Sequence, residues 1–61
     1  MEQSMEQLRT IKEIAKYLQV KERTISSWIN KGIIPHYKIG ASIRFKENEI
    51  NQWLNSKKVN V

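Results

Sequence analysis

Apolar residues near the middle of the chain recur with the spacing of an amphipathic helix. Ile25, Trp28 and Ile29 lie at positions i, i+3 and i+4 and would form one stripe along it. The residues on the other side of the same helix are polar: Arg23, Ser26, Ser27 and Asn30. Gly32 directly follows the pattern, and a glycine there ends a helix by adopting a positive φ angle. This stretch predicts a short helix with an apolar face for the core and a polar face for a ligand.

A second amphipathic pattern precedes it. Thr10 and Glu13 have the spacing of a capping box, in which each side chain bonds a free backbone N–H of the other residue. The apolar stripe behind this cap consists of Ile11, Ile14, Ala15 and Leu18. Tyr17 lies at the edge of the stripe, where it fits either the rim of the core or a phosphate contact. Val20 is an apolar residue in the short polar connection, as expected if it packs between two crossing helices. Two helices joined this closely predict a helix-turn-helix.

After Pro35 the apolar period changes from that of a helix to the alternation of a β-strand. Residues 36–39 and 43–46 alternate, and Gly40-Ala41-Ser42 between them predicts a three-residue hairpin loop. This register turns the apolar side chains toward the helices: Tyr37, Ile39, Ile43 and Phe45. It turns the basic ones outward: His36, Lys38, Arg44 and Lys46. The basic face fits a wing that contacts DNA, and equally a structural hairpin whose charges keep an edge strand soluble.

A third helix is predicted to close the core below the hairpin. Glu47 and Glu49 would lie in its first turn, where acidic residues suit the helix dipole. Ile50, Trp53 and Leu54 repeat the i, i+3, i+4 stripe. The predicted fold is mainly α with a small β-hairpin, in the order of a winged helix-turn-helix. We expect one domain over residues 8–55, with a disordered tail at 1–7 and a flexible one at 56–61.

The charge of the chain is concentrated in its centre. The net charge is +5, and residues 11–46 hold eight of the eleven lysines and arginines. A basic centre between nearly neutral ends fits a surface that binds a polyanion, and also a soluble basic domain without a nucleic-acid partner. No apolar run approaches the roughly 20 residues that span a bilayer, so we expect no membrane association. The absence of cysteine suits a cytoplasmic protein, which is the location we expect.

The residue inventory argues against an enzyme. The chain has no cysteine, no aspartate and one histidine, His36. A nucleophile activated by histidine would therefore depend on His36, which most simply is a surface residue after Pro35. The two glycines do not form a phosphate-binding loop. We therefore expect no catalytic residue, no metal site and no cofactor.

Several segments, taken in order, resemble the excisionase family of small DNA-binding domains, also described as MerR-like winged helix-turn-helix modules. They are TIKEIAKYLQVKERTISSWINKGIIP, YKIG, IRF and INQWL, and the resemblance covers roughly residues 8–55. It implies that the second helix reads the major groove and that the hairpin lies along the backbone or minor groove. Gln19 and Lys21 depart from the family, which often has glycine and a serine N-cap at these positions.

Candidate DNA contacts follow from the polar helix face and from this resemblance. By position, Arg23, Ser26 and Ser27 match the exposed recognition residues of the family, and Lys38 and Arg44 match its wing residues. Thr24 fits either a hydrogen bond within its own helix or a phosphate contact. The complete set of candidates is Lys21, Arg23, Thr24, Ser26, Ser27, Asn30, Lys38, Ser42 and Arg44.

Three functions remain compatible with the sequence. The first is a sequence-specific architectural factor that binds double-stranded DNA beside neighbouring copies of itself and directs excision by a site-specific recombinase. The second is a small MerR-like transcription regulator with the same fold. The third is an adaptor that uses this fold to bind proteins and not DNA.

Overall fold

Three helices and three short strands make up the fold. The structure is a computed structural model and describes residues 7–59. In chain order its elements are β1 Leu8–Arg9, α1 Ile11–Leu18, α2 Glu22–Lys31, β2 Tyr37–Ile39, β3 Ser42–Lys46 and α3 Glu47–Ser56. This order confirms the predicted winged helix-turn-helix. The predicted tail at residues 1–7 lies outside the described residues except for Gln7.

Helix α1 begins with the predicted capping box. The Glu13 N–H donates to the Thr10 hydroxyl over 3.1 Å, and the Thr10 N–H donates to a Glu13 carboxylate oxygen over 2.9 Å. The helix ends at Gln19, which adopts the left-handed conformation with φ of 60°. A residue with a Cβ is strained in this conformation, which glycine adopts without that strain.

Helix α2 has no side-chain cap at its N-terminus but a glycine cap at its C-terminus. Its N-cap residue, Lys21, makes no side-chain capping hydrogen bond. Its C-cap residue, Gly32, has the predicted positive φ, 68°, and its N–H donates to the Ile29 carbonyl over 3.0 Å. The chain thus leaves α2 sharply and carries Ile34 into the core, where it is buried.

The sheet contains a strand that the sequence analysis did not predict. Strand β1 pairs with β3, so the strand order is β1-β3-β2 with β3 in the centre. The Arg9 guanidinium donates to the Glu47 carboxylate at 2.9 and 3.2 Å, joining β1 to the start of α3. The hairpin is therefore anchored on its β3 side.

The hairpin loop is one residue shorter than predicted. Ile39 pairs with Ser42, so the loop consists of Gly40 and Ala41 alone. Gly40 has a φ of 61°, which two-residue hairpin turns favour for glycine. A change of one residue in register transfers a strand's side chains to the opposite face of the sheet. The predicted orientation of β2 is therefore wrong.

Directly paired residues show the corrected faces, because antiparallel partners project to the same side of the sheet. Phe45 is fully buried and defines the inner face, which Ile43 and its partner Lys38 share. Arg44 is paired with Tyr37, so Tyr37 lies on the outer face. The outer face consists of Tyr37, Ile39, Ser42, Arg44 and Lys46 of the hairpin, together with Leu8 of β1. Ile39, predicted to face the helices, is 53% exposed.

The core brings together one apolar face from each element. Its buried members are Ile14, Ala15, Ile25, Ile34, Phe45 and Ile50. Trp28 and Trp53 are half-buried and pack against this cluster, with ring centroids 5.6 Å apart. Tyr17 is 48% exposed, and its hydroxyl donates to the Asn51 side chain of α3. Tyr17 thus packs at the rim of the domain, one of the two positions that the sequence allowed.

Candidate nucleic-acid interface

The polar face of α2 is exposed along its whole length. Arg23, Ser26, Ser27 and Asn30 are all exposed. With 3.6 residues per turn they fall within a sector of about 100°, opposite the stripe that packs into the core. Two serines at the centre of this face leave the backbone close to whatever the helix contacts. The face presents a long cationic side chain, Arg23, at one end and an amide, Asn30, at the other.

Two further candidates lie at the start of α2. Lys21 is exposed, so its ammonium group is available to a phosphate. Thr24 is half-buried, and within residues 7–59 its hydroxyl has no hydrogen-bond partner. The bond within its own helix that the sequence allowed is therefore not formed, which leaves the hydroxyl for an external acceptor.

Glu22 is a surface residue that the sequence analysis passed over. It is exposed and is the first residue of α2, directly beside Arg23. A carboxylate there favours the helix dipole, but it also repels phosphates. In the major groove such a group can accept a hydrogen bond from the cytosine amino group. The sequence could have indicated Glu22 as a surface candidate, because it lies at the predicted N-terminus of α2 beside Arg23.

The hairpin candidates are divided between the two faces of the sheet. Lys38 is exposed on the inner side of the hairpin, where it pairs with Ile43. Arg44 is half-buried on the outer side, and its guanidinium donates to the Ile43 carbonyl over 2.8 Å. Ser42 is exposed next to the loop. The structure therefore brings the α2 candidates together on one surface but separates the two cations of the hairpin.

An aromatic and charged cluster occupies the outer side of the hairpin. The Tyr37 hydroxyl donates to the Glu49 carboxylate over 2.6 Å, and the Lys46 ammonium lies 5.3 Å from the centroid of the Tyr37 ring. The hydrogen bond to Glu49 raises the pKa of Tyr37 above its ordinary value of 10.0, and Lys46 opposes this shift. The sequence analysis missed this cluster because it assigned Tyr37 to the inner face.

Other kinds of site find little support in the described part of the chain. Residues 7–59 contain no group of three or more acidic, histidine or cysteine residues placed to hold a metal ion. The same residues include no helix that is long and apolar enough to cross a membrane. The His36 Nδ1 lies 2.7 Å from the Ile34 carbonyl oxygen, so this nitrogen is occupied by a local hydrogen bond.

An exposed polar helix after a tight turn, followed by a basic hairpin, defines the DNA-binding helix-turn-helix class of domain. The chain belongs to the family described as "Helix-turn-helix domain", which matches residues 10–58. The members of this family are typically binding domains and not enzymes.

Comparison with curated proteins finds a relative in Bacillus subtilis (strain 168), "Uncharacterized protein YvgK". The two are 36% identical over 44 residues. The matched segment is 72% of this chain but only 14% of the length of the relative. No solved structure gives a significant match.

Proposed function

We propose that the protein binds double-stranded DNA sequence-specifically, with α2 in the major groove and the hairpin on the backbone or in the minor groove. The observation that carries this proposal is the exposed polar face of α2, opposite the stripe that holds the helix in the core. The guanidinium group of Arg23 can donate two hydrogen bonds to a guanine, and the short side chains of Ser26 and Ser27 permit close approach. The protein then acts in the cytoplasm, where it has access to DNA.

The cations of α2 and of the hairpin supply the sequence-independent part of the binding energy. Lys21, Lys31 and Lys38 are exposed, and Arg44 and Lys46 are half-exposed on the hairpin. If roughly five phosphates are neutralised, log K falls with log salt at a slope of about −4 to −5. A fluorescence-anisotropy titration at several salt concentrations measures this slope. A flat response would refute DNA binding and leave an adaptor that binds proteins.

The more specific proposal is an architectural role of the excisionase kind. A ten-residue helix is only about 15 Å long, and a single module of this kind buries about 600–1,000 Å² of protein surface on DNA. Useful specificity then requires neighbouring copies on repeated sites, with a site-specific recombinase as the partner that uses the shaped DNA. Successive copies gripping one side of the duplex favour a bend whose elastic cost is a few kcal/mol.

Selection of bound sites from random duplexes, followed by footprinting, tests both levels. An architectural factor is expected to select direct repeats, to load cooperatively and to bend the DNA. Gel shifts with one, two and three repeats measure the cooperativity, and circularly permuted fragments measure the bend. Independent loading with mobility unaffected by site position would contradict the architectural role and favour a small MerR-like transcription regulator.

A further inference from the structure

An apolar groove lies on the side of the domain that carries the α2 core stripe, away from its polar face. The groove has a volume of about 360 Å³ and runs between the end of α1, the middle of α2 and the second half of α3. We define it by the residues Leu18, Trp28, Ile33, Trp53, Leu54 and Lys57. None of these is among the candidate DNA contacts.

The walls of the groove remain open to solvent. Ile33 is 46% exposed and Leu54 is 45% exposed, although both are large aliphatic residues. They line the groove together with Trp28 and Trp53, whose ring centroids are 5.6 Å apart. Covering such a surface with another apolar group is favourable because it removes the side chains from water.

The charge beside the groove has one sign. Lys57 is the only ionisable residue among those that line it, and its ammonium lies 5.8 Å from the Trp53 ring centroid. Lys58 follows directly, and residues 50–59 contain no acidic residue. A segment that covers the groove therefore meets aliphatic and aromatic groups at its centre and positive charge at the C-terminal end of α3.

We propose that this groove docks a short acidic and apolar segment of a partner protein. The segment places leucine or aromatic side chains between Ile33 and Leu54 and directs an aspartate or glutamate to Lys57. This mode resembles the docking of an amphipathic helix in a hydrophobic groove. A second copy of the chain is the poorer occupant, since its net charge is also +5. DNA is excluded by the apolar lining.

This inference goes beyond DNA binding and is independent of it. Trp28 lies about 140° around α2 from Arg23. The residues that define the groove include none of the candidate DNA contacts, so a partner can bind there while DNA covers the polar face. The relative in B. subtilis carries the matched segment as 14% of a longer chain, so there a domain of this kind operates beside further protein.

A library of random 16-residue peptides displayed on phage, panned against the immobilised protein, tests the proposal. Enriched peptides are expected to have apolar residues at i, i+3 or i+4 together with acidic ones. One enriched peptide, synthesised and titrated against the protein, is expected to change the tryptophan fluorescence saturably, because both tryptophans of the chain line the groove. Panning with and without bound duplex separates failure here from failure of DNA binding.

Two pairs of variants locate the bound peptide. Leu54→Asp is expected to lower the affinity for the peptide at least tenfold. Asn55 is an exposed neighbour outside the groove, so Asn55→Asp is expected to retain binding. Lys57→Glu is expected to weaken an acidic peptide more than Lys58→Glu does. Circular dichroism confirms that each variant is folded.

Three results would overturn the proposal. The first is a panning experiment without enrichment, or with enrichment of basic peptides. The second is peptide binding that Leu54→Asp leaves unchanged. The third is a dimer in sedimentation that Leu54→Asp dissociates, which would assign the groove to a second copy of this chain.

Discussion

Replacing Arg23 by alanine isolates the reading of bases from the stability of the fold. Arg23 is exposed in the first half of α2, and within residues 7–59 its side chain has no hydrogen-bond or ion-pair partner. Surface substitutions of this kind change stability by less than about 0.5 kcal/mol. The Arg23→Ala variant is therefore expected to melt at the wild-type temperature, and any loss of binding belongs to the DNA contact itself.

The expected loss depends on the DNA. A bidentate contact to guanine discriminates against other bases by about 1–3 kcal/mol, which is about 5-fold to 150-fold in affinity. This loss is expected on a selected site. On random DNA the variant loses at most one phosphate contact, so its salt slope changes by no more than about 0.9. The ratio between the two affinities should fall sharply.

Anisotropy titrations of labelled selected and scrambled duplexes measure both quantities. Lys12→Ala is the matched control. Lys12 is an exposed cation on α1, so its replacement removes the same charge at a position away from the polar face of α2. That control should leave the ratio of affinities unchanged. If Arg23→Ala weakens both duplexes by the same factor, Arg23 contacts phosphate and the assignment of a base reader is wrong.

Four further substitutions separate the hairpin, the core, the turn and the outer cluster. Lys38→Ala should weaken all DNA sequences alike and reduce the salt slope by about one, and a change in base preference would contradict a phosphate contact. Trp28→Ala should leave the chain largely unfolded, as measured by circular dichroism. Truncation of a core tryptophan costs about 3–5 kcal/mol, and the free energy of unfolding of so small a domain is only about 3–9 kcal/mol. A folded variant that loses DNA binding would refute this. Gln19→Gly should raise the thermal midpoint, because relief of left-handed strain of about 1–2 kcal/mol exceeds the added chain entropy of about 0.5–1 kcal/mol. The pKa of Tyr37 is higher in the folded state, so its hydrogen bond to Glu49 stabilises the protein below pH 10 and is lost as the pH rises through the raised pKa. Urea unfolding at neutral pH should show that Tyr37→Phe is less stable than the wild type. This difference in stability should vanish in strong alkali.

The helices could be predicted from sequence because their signals are local. The stripe containing Ile25 recurs every three or four residues, and this spacing alone separates the buried from the exposed side of α2. The caps at Thr10 and Gly32 depend on neighbouring backbone groups and appear in the structure as expected. The candidate residues on α2 were predictable for the same reason, since a helix face follows directly from its period.

The sheet depends on information that the local pattern does not contain. A loop of two or three residues fits the same stretch around Gly40, yet the choice decides whether Tyr37 faces the core or solvent. Strand β1 is only two residues long and is tied down by Arg9 and Glu47, which are 38 positions apart in the chain. No pattern within a short window predicts such a contact.

The two sides of α2 make recognition and folding separable within one helix. Ile25 is fully buried and holds the helix against the core, whereas Ser26 and Ser27, the next residues in the chain, are exposed. Substitutions on the buried side should therefore lower the free energy of unfolding and leave the base preference of the folded fraction unchanged. Substitutions on the exposed side should change the base preference and leave the free energy of unfolding nearly unchanged. Because α2 is held through Trp28 and Ile25 and not through its polar face, base preference can change by substitution at the exposed positions without loss of the fold.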